Sequence, residues 1–158
     1  MTKTLIPSPL GAIAIDEDGA HLLSIAIMFG EMRAATRERP TPGSLLAEVA
    51  KQLDAYFERR LDLFDLPLTP LKSARGEALR AAIAAIPLGE TLSYGALARI
   101  AGSGPRAIGQ ACARNPFPIV IPCHRVVGSG GTIGHYSGGD GIITKRWLLE
   151  HERRGGLL

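Results

Sequence analysis

Cysteine is scarce in this chain of 158 residues: only Cys112 and Cys123 occur, so at most one disulfide can form. Neither cysteine belongs to a CxxC pair, and the four histidines show no HxxxH spacing, which argues against a structural zinc site. No apolar run approaches the ~18 residues that span a bilayer, and the first residues lack the apolar core of a signal peptide. We therefore expect reduced thiols in a cytoplasmic setting, no metal and no membrane segment.

A phosphate-binding Walker loop is also absent. Residues 128–141 hold seven glycines in 14 positions, but no GKS or GKT follows them. Because glycine has no side chain, we expect a loop here whose backbone can approach a ligand closely.

Charge is distributed unevenly along the chain. Residues 1–71 carry 7 Lys or Arg and 10 Asp or Glu, a net charge of −3, whereas residues 72–158 carry 11 and 5, a net charge of +6. A basic half is typical of proteins that bind a polyanion such as nucleic acid, but chance also produces segments of +6, so charge alone does not decide the function. The hydrophobic fraction of 46% is ordinary for a globular protein with its own core.

The first 60 residues predict a small antiparallel sheet with a helix laid on it. Apolar runs at 10–15 and 22–28 flank Asp18-Gly19, a strong hairpin signal. The polar stretch 30–43 predicts a loop, and Ser44 is suited to cap a helix over 45–60. Two prolines in 61–74 indicate a boundary near 68–73, which gives domains 1–71 and 72–158.

The second half predicts a mostly helical domain. A helix over 76–86 is followed by a second over 94–101, capped by Ser93, and by a third over 105–114 that begins at Pro105. The "GSG" between the last two makes a helix-turn-helix pattern, and the small residues of the third helix suit either close approach to a surface or helix packing. The apolar run 117–121 predicts a buried strand leading to Cys123, and Thr144 is predicted to cap a final helix.

Cys123 and His124 allow two interpretations. A thiol beside a histidine is suited to nucleophilic chemistry, with Glu150 or Glu152 of the last helix available to orient the histidine. Free cysteine is also among the most buried residue types, so composition alone favours an inert core residue. Neighbours on a strand face opposite ways, so direct contact between the two side chains is not guaranteed, and a bridging water is an alternative carrier of the proton.

The order of motifs resembles one family. "GETLSYGALA", "PRAIGQACARNP", "IPCHRVVGSGG", "YSGG" and "KRWLLEHE" follow one another without large gaps, and "SPLGAIAI" and "FDLPL" stand upstream. Together they resemble the O6-alkylguanine-DNA alkyltransferases (methylated-DNA–protein-cysteine methyltransferases). The resemblance implies an α/β (α+β) protein with a ribonuclease H-like first domain. It further implies a monomeric, single-turnover DNA repair enzyme, cytoplasmic and nucleoid-associated in a prokaryote or nuclear in a eukaryote, that needs no cofactor.

The resemblance also implies a role for each matching residue. The alkyl group passes from the O6 atom of a flipped guanine in double-stranded DNA to Cys123, irreversibly. The catalytic group is completed by the water-linked base His124, its orienting acid Glu152, the bracing Asn115 and the tyrosine Tyr94. The guanine pocket is lined by Tyr94, Val126, Tyr136 and Ser137. The surface that enters the minor groove consists of Ser93, Arg106, Ala107, Gly109, Gln110 and Arg114, with Arg106 filling the vacated place in the base stack.

The chain departs from the family pattern at Arg75 and Arg80, where aromatic residues are common, and Cys112 is interpreted as a small packing residue.

Three rival functions stay open at this point. The chain could be a lesion-binding protein that flags damage without efficient transfer, although such proteins replace the cysteine. It could be a cysteine hydrolase, which leaves the helix pair unexplained, or a helix-turn-helix transcription factor, which needs no PCHR turn.

Overall fold

The computed structural model of the protein describes residues 2–29 and 39–153. The chain divides between Thr69 and Pro70 into two compact units. Within the described residues, no helix combines the length and the apolar character that crossing a membrane requires.

The first unit is built on a three-stranded antiparallel sheet in the order β1-β2-β3, with β1 at Thr2–Ile6, β2 at Gly11–Glu17 and β3 at Leu22–Phe29. The predicted hairpin between β2 and β3 is confirmed. The Asp18 carboxylate accepts the N–H groups of Ala20 and His21, and Gly19 adopts a φ of 89°. Strand β1 was not predicted, because its alternation is short and runs into a proline.

Helix α1, Leu45–Phe57, contacts β2 and begins where the sequence predicted, since the Ser44 hydroxyl accepts the Ala47 N–H at 3.1 Å. Its buried face includes Val49 and Leu53. Most of the polar stretch predicted as a loop, residues 30–38, lies outside the described residues.

In the part that the structure describes, the second unit has four α-helices and one pair of very short strands. The helices are α2 (Ala74–Ala84), α3 (Tyr94–Ala101), α4 (Pro105–Ala113) and α5 (Ile142–Glu152). Strand β4, Leu92–Ser93, pairs in parallel with β5, Val126–Val127. Helices α2, α3 and α4 pack on one another, and α5 packs on the turn that carries Cys123. The mixed α/β class predicted from the sequence is confirmed.

Helices α3 and α4 follow the predicted pattern closely. The Ser93 hydroxyl accepts the Ala96 N–H at 3.0 Å, α3 ends at Gly102 in the left-handed conformation with φ 65°, and Pro105 occupies the first position of α4. Ile108 and Cys112 face the core, so the opposite face of α4 is turned to solvent.

The strand predicted over 117–121 is wrong. All five residues are buried, as expected, but they form turns, and Ile119 adopts φ 76°. The prolines at 116, 118 and 122 explain the difference, because each removes a backbone donor that a strand would need. Cys123 therefore begins a 3-10 turn, Cys123–Arg125, instead of ending a strand.

The predicted cap of the last helix is also wrong. Helix α5 begins two residues before Thr144, and Gly141 is its N-cap with φ 60° and ψ −127°, a conformation suited to glycine. The Thr144 hydroxyl instead accepts the N–H of Asp140 at 2.8 Å and ties the glycine-rich loop to the first turn of the helix.

Candidate active site

Cys123 is held in place by the residues that precede it. Its own N–H donates to the Ile121 carbonyl at 2.8 Å, and its side chain is almost fully buried. The Asn115 amide donates to Ile121 O at 2.9 Å and to the Cys123 sulfur at 3.3 Å, while its carbonyl accepts the Phe117 N–H at 2.9 Å. One asparagine therefore fixes both ends of the buried turn and aims a donor at the thiol.

His124 is fully buried and pairs with the carboxylate of Glu152. Nε2 of His124 lies 2.6 Å from Oε2 of Glu152, and the acid is itself 3% exposed. A carboxylate is an acceptor, so Nε2 carries the proton and Nδ1 is left as the acceptor nitrogen. Nδ1 is buried and has no hydrogen-bond partner within the described residues, which also means that it makes no direct bond to the thiol.

Arg125 completes this cluster. It donates from Nε to Oε1 of Glu152 at 2.8 Å, from Nη2 to Oε2 at 3.1 Å and from Nη1 to the Ile86 carbonyl at 2.6 Å. This bidentate pair with a further backbone bond is the geometry in which buried arginine is best satisfied. The cluster joins three segments: the turn that follows α2, the 3-10 turn and α5.

Burial and the neighbouring charges shift the pKa values of Glu152 and His124. Burial opposes ionisation of Glu152, but the hydrogen bonds from His124 and Arg125, the charge of Arg125 and, at acid pH where His124 is protonated, the charge of His124 outweigh it and lower its pKa to about 2. Burial lowers the pKa of His124, and the neighbouring cations Arg125 and Lys145 act in the same direction, while Glu152 opposes them. His124 is therefore a neutral imidazole at neutral pH, and its free Nδ1 can accept a proton.

The thiol has a different balance. Burial raises the pKa of Cys123, and the hydrogen bond from Asn115 together with the charge of Lys145 works against that rise. The sulfur thus keeps its proton until a base removes it. The second cysteine, Cys112, is buried on α4, and burial raises its pKa to about 12, so it is chemically quiet.

Lys145 ties the glycine-rich loop to β5. Its side chain is fully buried on α5, and its ammonium group donates to the Val126 carbonyl at 2.8 Å and to the His135 carbonyl at 3.0 Å. A Cβ at Gly134, where φ is 74°, would stand 3.5 Å from the ammonium nitrogen and 3.6 Å from the ring of Tyr94. These are ordinary van der Waals distances, so the left-handed φ of Gly134, and not a lack of space, favours glycine where the loop passes Tyr94.

Two tyrosines stand near the thiol. Tyr94 is half-buried at the first position of α3; burial raises its pKa, as do the charges that Cys112 and Cys123 would carry. The Tyr136 hydroxyl is buried without a hydrogen-bond partner among the described residues, and its ring lies edge-on to His124 at 6.4 Å. Gly138 accommodates this ring, since a Cβ there would come within 2.8 Å of it. Ser137, the remaining predicted pocket residue, is exposed.

Comparison with known proteins identifies the family. Residues 76–154 match the model of the 6-O-methylguanine DNA methyltransferase DNA-binding domain, and residues 1–70 match that of the ribonuclease-like domain of the same enzymes. The methylated-DNA–protein-cysteine methyltransferase of Homo sapiens is 35% identical over 96% of this chain and 80% of its own length. That of Mycobacterium tuberculosis is 36% identical over 94% of this chain and 90% of its own. The chain belongs to the 6-O-methylguanine DNA methyltransferase family.

Solved structures of the family agree with this assignment. The crystal structure of Mycobacterium tuberculosis OGT in complex with DNA superimposes with a TM-score of 0.78 at 35% identity, covering 96% of this chain and 92% of that one. The resemblance inferred from the motif order is thereby confirmed.

In this family member, the residues predicted to meet DNA lie on α4, at its end and at the start of α3. Arg106, Gln110 and Arg114 are exposed on α4, and Ala107 and Gly109 between them are half-buried. Ser93 lies at the start of α3, where its hydroxyl oxygen is already used as a helix cap.

Sequence reasoning missed Arg125 and Lys145 as site residues. Arg125 is a charge inside the otherwise apolar stretch 117–127, and a buried arginine requires an acidic partner, so its position was a usable signal. Lys145 shares the buried face of α5 with Leu148 and Glu152, at the helical spacing of three and then four residues.

The two departures from the family pattern have definite places. Arg75 donates to the Ser103 hydroxyl at 2.8 Å in the turn between α3 and α4. The guanidinium of Arg80 stands 5.3 Å above the Phe117 ring, a cation–π arrangement beneath the turn that leads to Cys123.

Proposed function

We propose that this chain repairs O6-alkylguanine in double-stranded DNA by transferring the alkyl group to its own Cys123. The observation that carries the proposal is the arrangement at the thiol. A buried sulfur is braced by Asn115 beside a neutral His124 whose proton sits toward Glu152, in a chain of the methyltransferase family.

The proposed transfer step needs neither a metal ion nor an organic cofactor. The thiol proton passes to Nδ1 of His124 through one water, and Glu152 stabilises the resulting imidazolium. The sulfur attacks the alkyl carbon, a C–S bond forms, and the C–O6 bond breaks with its electron pair left on the guanine. The Tyr94 or Ser137 hydroxyl stabilises that anion as a hydrogen-bond donor, and protonation gives guanine. The thioether offers no route back to a thiol, so each molecule acts once.

The approach to the base is assigned to α3 and α4. We infer that they act as a helix-turn-helix with α4 in the minor groove, because its solvent face carries small residues between cations. Arg106 takes the place of the flipped nucleotide, since a flat guanidinium both stacks and donates hydrogen bonds. Tyr94, Val126 and Tyr136 enclose the base.

The remaining assignments follow from the reaction. Because one thiol serves one lesion, a monomer is sufficient for the reaction. The protein acts where its DNA substrate is located, which is the nucleoid in a prokaryotic cytoplasm or the nucleus in a eukaryote. The first domain, residues 1–71, is assigned a scaffolding role, and residues 72–158 carry DNA binding and transfer.

Peptide mass spectrometry tests the proposal. The protein is incubated with duplex DNA containing O6-methylguanine and then digested, and the peptide with Cys123 should gain one methylene. Cys123→Ala should abolish the gain, and Cys112→Ala, the matched control, should preserve it. Binding without any mass gain would favour a lesion-binding protein, and catalytic turnover or indifference to the lesion would refute alkyl transfer.

A further inference from the structure

A basic cleft lies on the second unit beside the helix assigned to DNA. Its walls are residues 70–73, α2, α4 and the turn that follows α4, and its volume is about 580 Å³. Four cationic residues line it: Lys72, Arg75, Arg80 and Arg114. Of the residues that the structure describes, no aspartate or glutamate lines the cleft.

The cations are partly pre-positioned. Arg75 is held toward the α3–α4 turn by its bond to Ser103, and Arg80 is held over the Phe117 ring with its side chain only 12% exposed. One acid, Glu77, stands 4.0 Å from Arg80, although it is not among the residues that line the cleft. A guanidinium has five donors, so one or two bonds within the protein leave others for a ligand. Four positive groups around one cavity repel each other, and an anion in the cleft relieves that repulsion.

The cleft is continuous with the proposed DNA surface. Ala107, Gln110 and Arg114 belong to that surface and also line the cleft, at helical spacings of three and four along α4. A duplex lying along α4 therefore brings one of its backbones to the mouth of the cleft. The two parallel N–H donors of a guanidinium match the spacing of oxygens in phosphate and carboxylate groups. Of these two anions, phosphate is the one that a duplex supplies at this edge.

We propose that this cleft binds a backbone phosphate of the duplex that α4 engages, with Arg75 and Arg114 as the principal ligands and Lys72 as a peripheral one. The inference rests on the proposed function for its choice of DNA. It assigns Arg75, one of the two residues that depart from the family pattern, to substrate anchoring outside the guanine pocket.

Salt dependence of binding to an undamaged duplex tests the cleft. Each lost phosphate contact should reduce the slope of log K against log salt by about 0.9. Arg75→Gln should therefore reduce the slope by about 1, and the double variant with Lys72→Gln by about 1 to 2. Arg146→Gln removes the same charge from the exposed face of α5, outside the cleft, and should keep the wild-type slope. Equal reductions in Arg75→Gln and Arg146→Gln, or none in either, would overturn the inference.

A backbone scan locates the phosphate. Duplexes with a single neutral methylphosphonate at successive positions should include one that weakens wild-type binding as much as Arg75→Gln does and has no further effect on that variant. Additive losses at every position would contradict the assignment. Displacement by inorganic phosphate beyond that of chloride at equal ionic strength, with no such position, would assign the cleft to a free anion and overturn the duplex contact.

The measurement is independent of alkyl transfer. A protein that binds undamaged duplex through the cleft but never gains a methylene on Cys123 sustains this inference while refuting the proposed function. Alkyl transfer to Cys123, together with cleft variants whose salt-dependence slopes equal that of the wild type, would support the proposed function and refute this inference.

Discussion

Replacing Glu152 with glutamine should destabilise the second unit by about 3 kcal/mol at pH 7. The carboxylate is almost fully buried and holds its pKa at about 2 against an ordinary 4.5. At 1.36 kcal/mol for each pH unit, that lowering corresponds to about 3 kcal/mol in favour of the folded state. The figure lies within the range of about 3–5 kcal/mol for breaking a buried ion pair and leaving one charge, here Arg125, unpaired.

The direction of the pH dependence follows from the same shift. Because the folded-state pKa is lowered, the stabilisation is complete above pH 4.5, decreases as the pH falls, and is lost near pH 2. Glu152→Gln has no carboxylate to protonate at this position. The difference in unfolding free energy between wild type and variant should therefore be largest near neutral pH and shrink steadily below pH 4.5.

Urea unfolding followed by fluorescence measures this difference. The protein has one tryptophan, Trp147, which lies on α5 and stacks on His151, so the signal reports on the helix that carries Glu152. Glu150→Gln is the matched control, because Glu150 is on the same helix but exposed. A loss below about 1 kcal/mol at pH 7, or a loss that does not change between pH 7 and pH 3, would refute the assignment of a buried ionised cluster.

Three further predictions concern the reaction. Arg106→Ala should slow repair in duplex DNA by more than it slows reaction with free O6-benzylguanine, because only the duplex has a base stack to fill; equal losses in the two assays would remove that role. Tyr94→Phe should slow transfer while binding of undamaged duplex stays near wild type by gel shift, and an unchanged single-turnover rate would exclude its hydroxyl from the chemistry. Since burial lowers the pKa of His124 below its ordinary 6.5, the rate with the free base should stay flat from neutral pH down past 6.5 and fall only below it; a fall centred at or above 6.5 would contradict a neutral buried base.

Local signals in the sequence predicted the elements that local physics decides. Ser44 and Ser93 cap helices, Pro105 begins one, and Asp18-Gly19 turns a hairpin, because each of these depends on backbone groups within four residues. The position of Cys123 was predicted less well. Its apolar approach has the composition of a strand, and only the prolines at 116, 118 and 122 indicated that it would turn instead.

Tertiary contacts decided the rest of the site. Glu150 and Glu152 are two residues apart on one helix, and periodicity alone does not say which one turns inward. The structure buries Glu152 against His124 and Arg125 and exposes Glu150. The ammonium group of Lys145 donates to two carbonyls that are 19 and 10 residues away in the sequence. These bonds depend on the path of a loop that no short-range pattern specifies.

The buried cluster also allows stability to be separated from function. A buried ion pair replaced as a whole often leaves a protein as stable as before, whereas removing one partner leaves an uncompensated charge. Adding Arg125→Met to Glu152→Gln removes that charge, so the double variant should be more stable than Glu152→Gln alone, although the Ile86 carbonyl loses its donor. Alkyl transfer should stay impaired in both, since a neutral amide does not stabilise a protonated His124.

Equilibrium unfolding and single-turnover transfer to O6-benzylguanine, measured on the two single variants and the double variant, complete this cycle. Additive losses of stability would show that Arg125 and Glu152 do not act as a pair. Recovery of the transfer rate together with stability would mean that Glu152 acts only by supporting the fold. Recovery of stability without recovery of the rate would assign the carboxylate a direct part in the proton transfer at His124, because the packing would then be restored and only the charge would be missing.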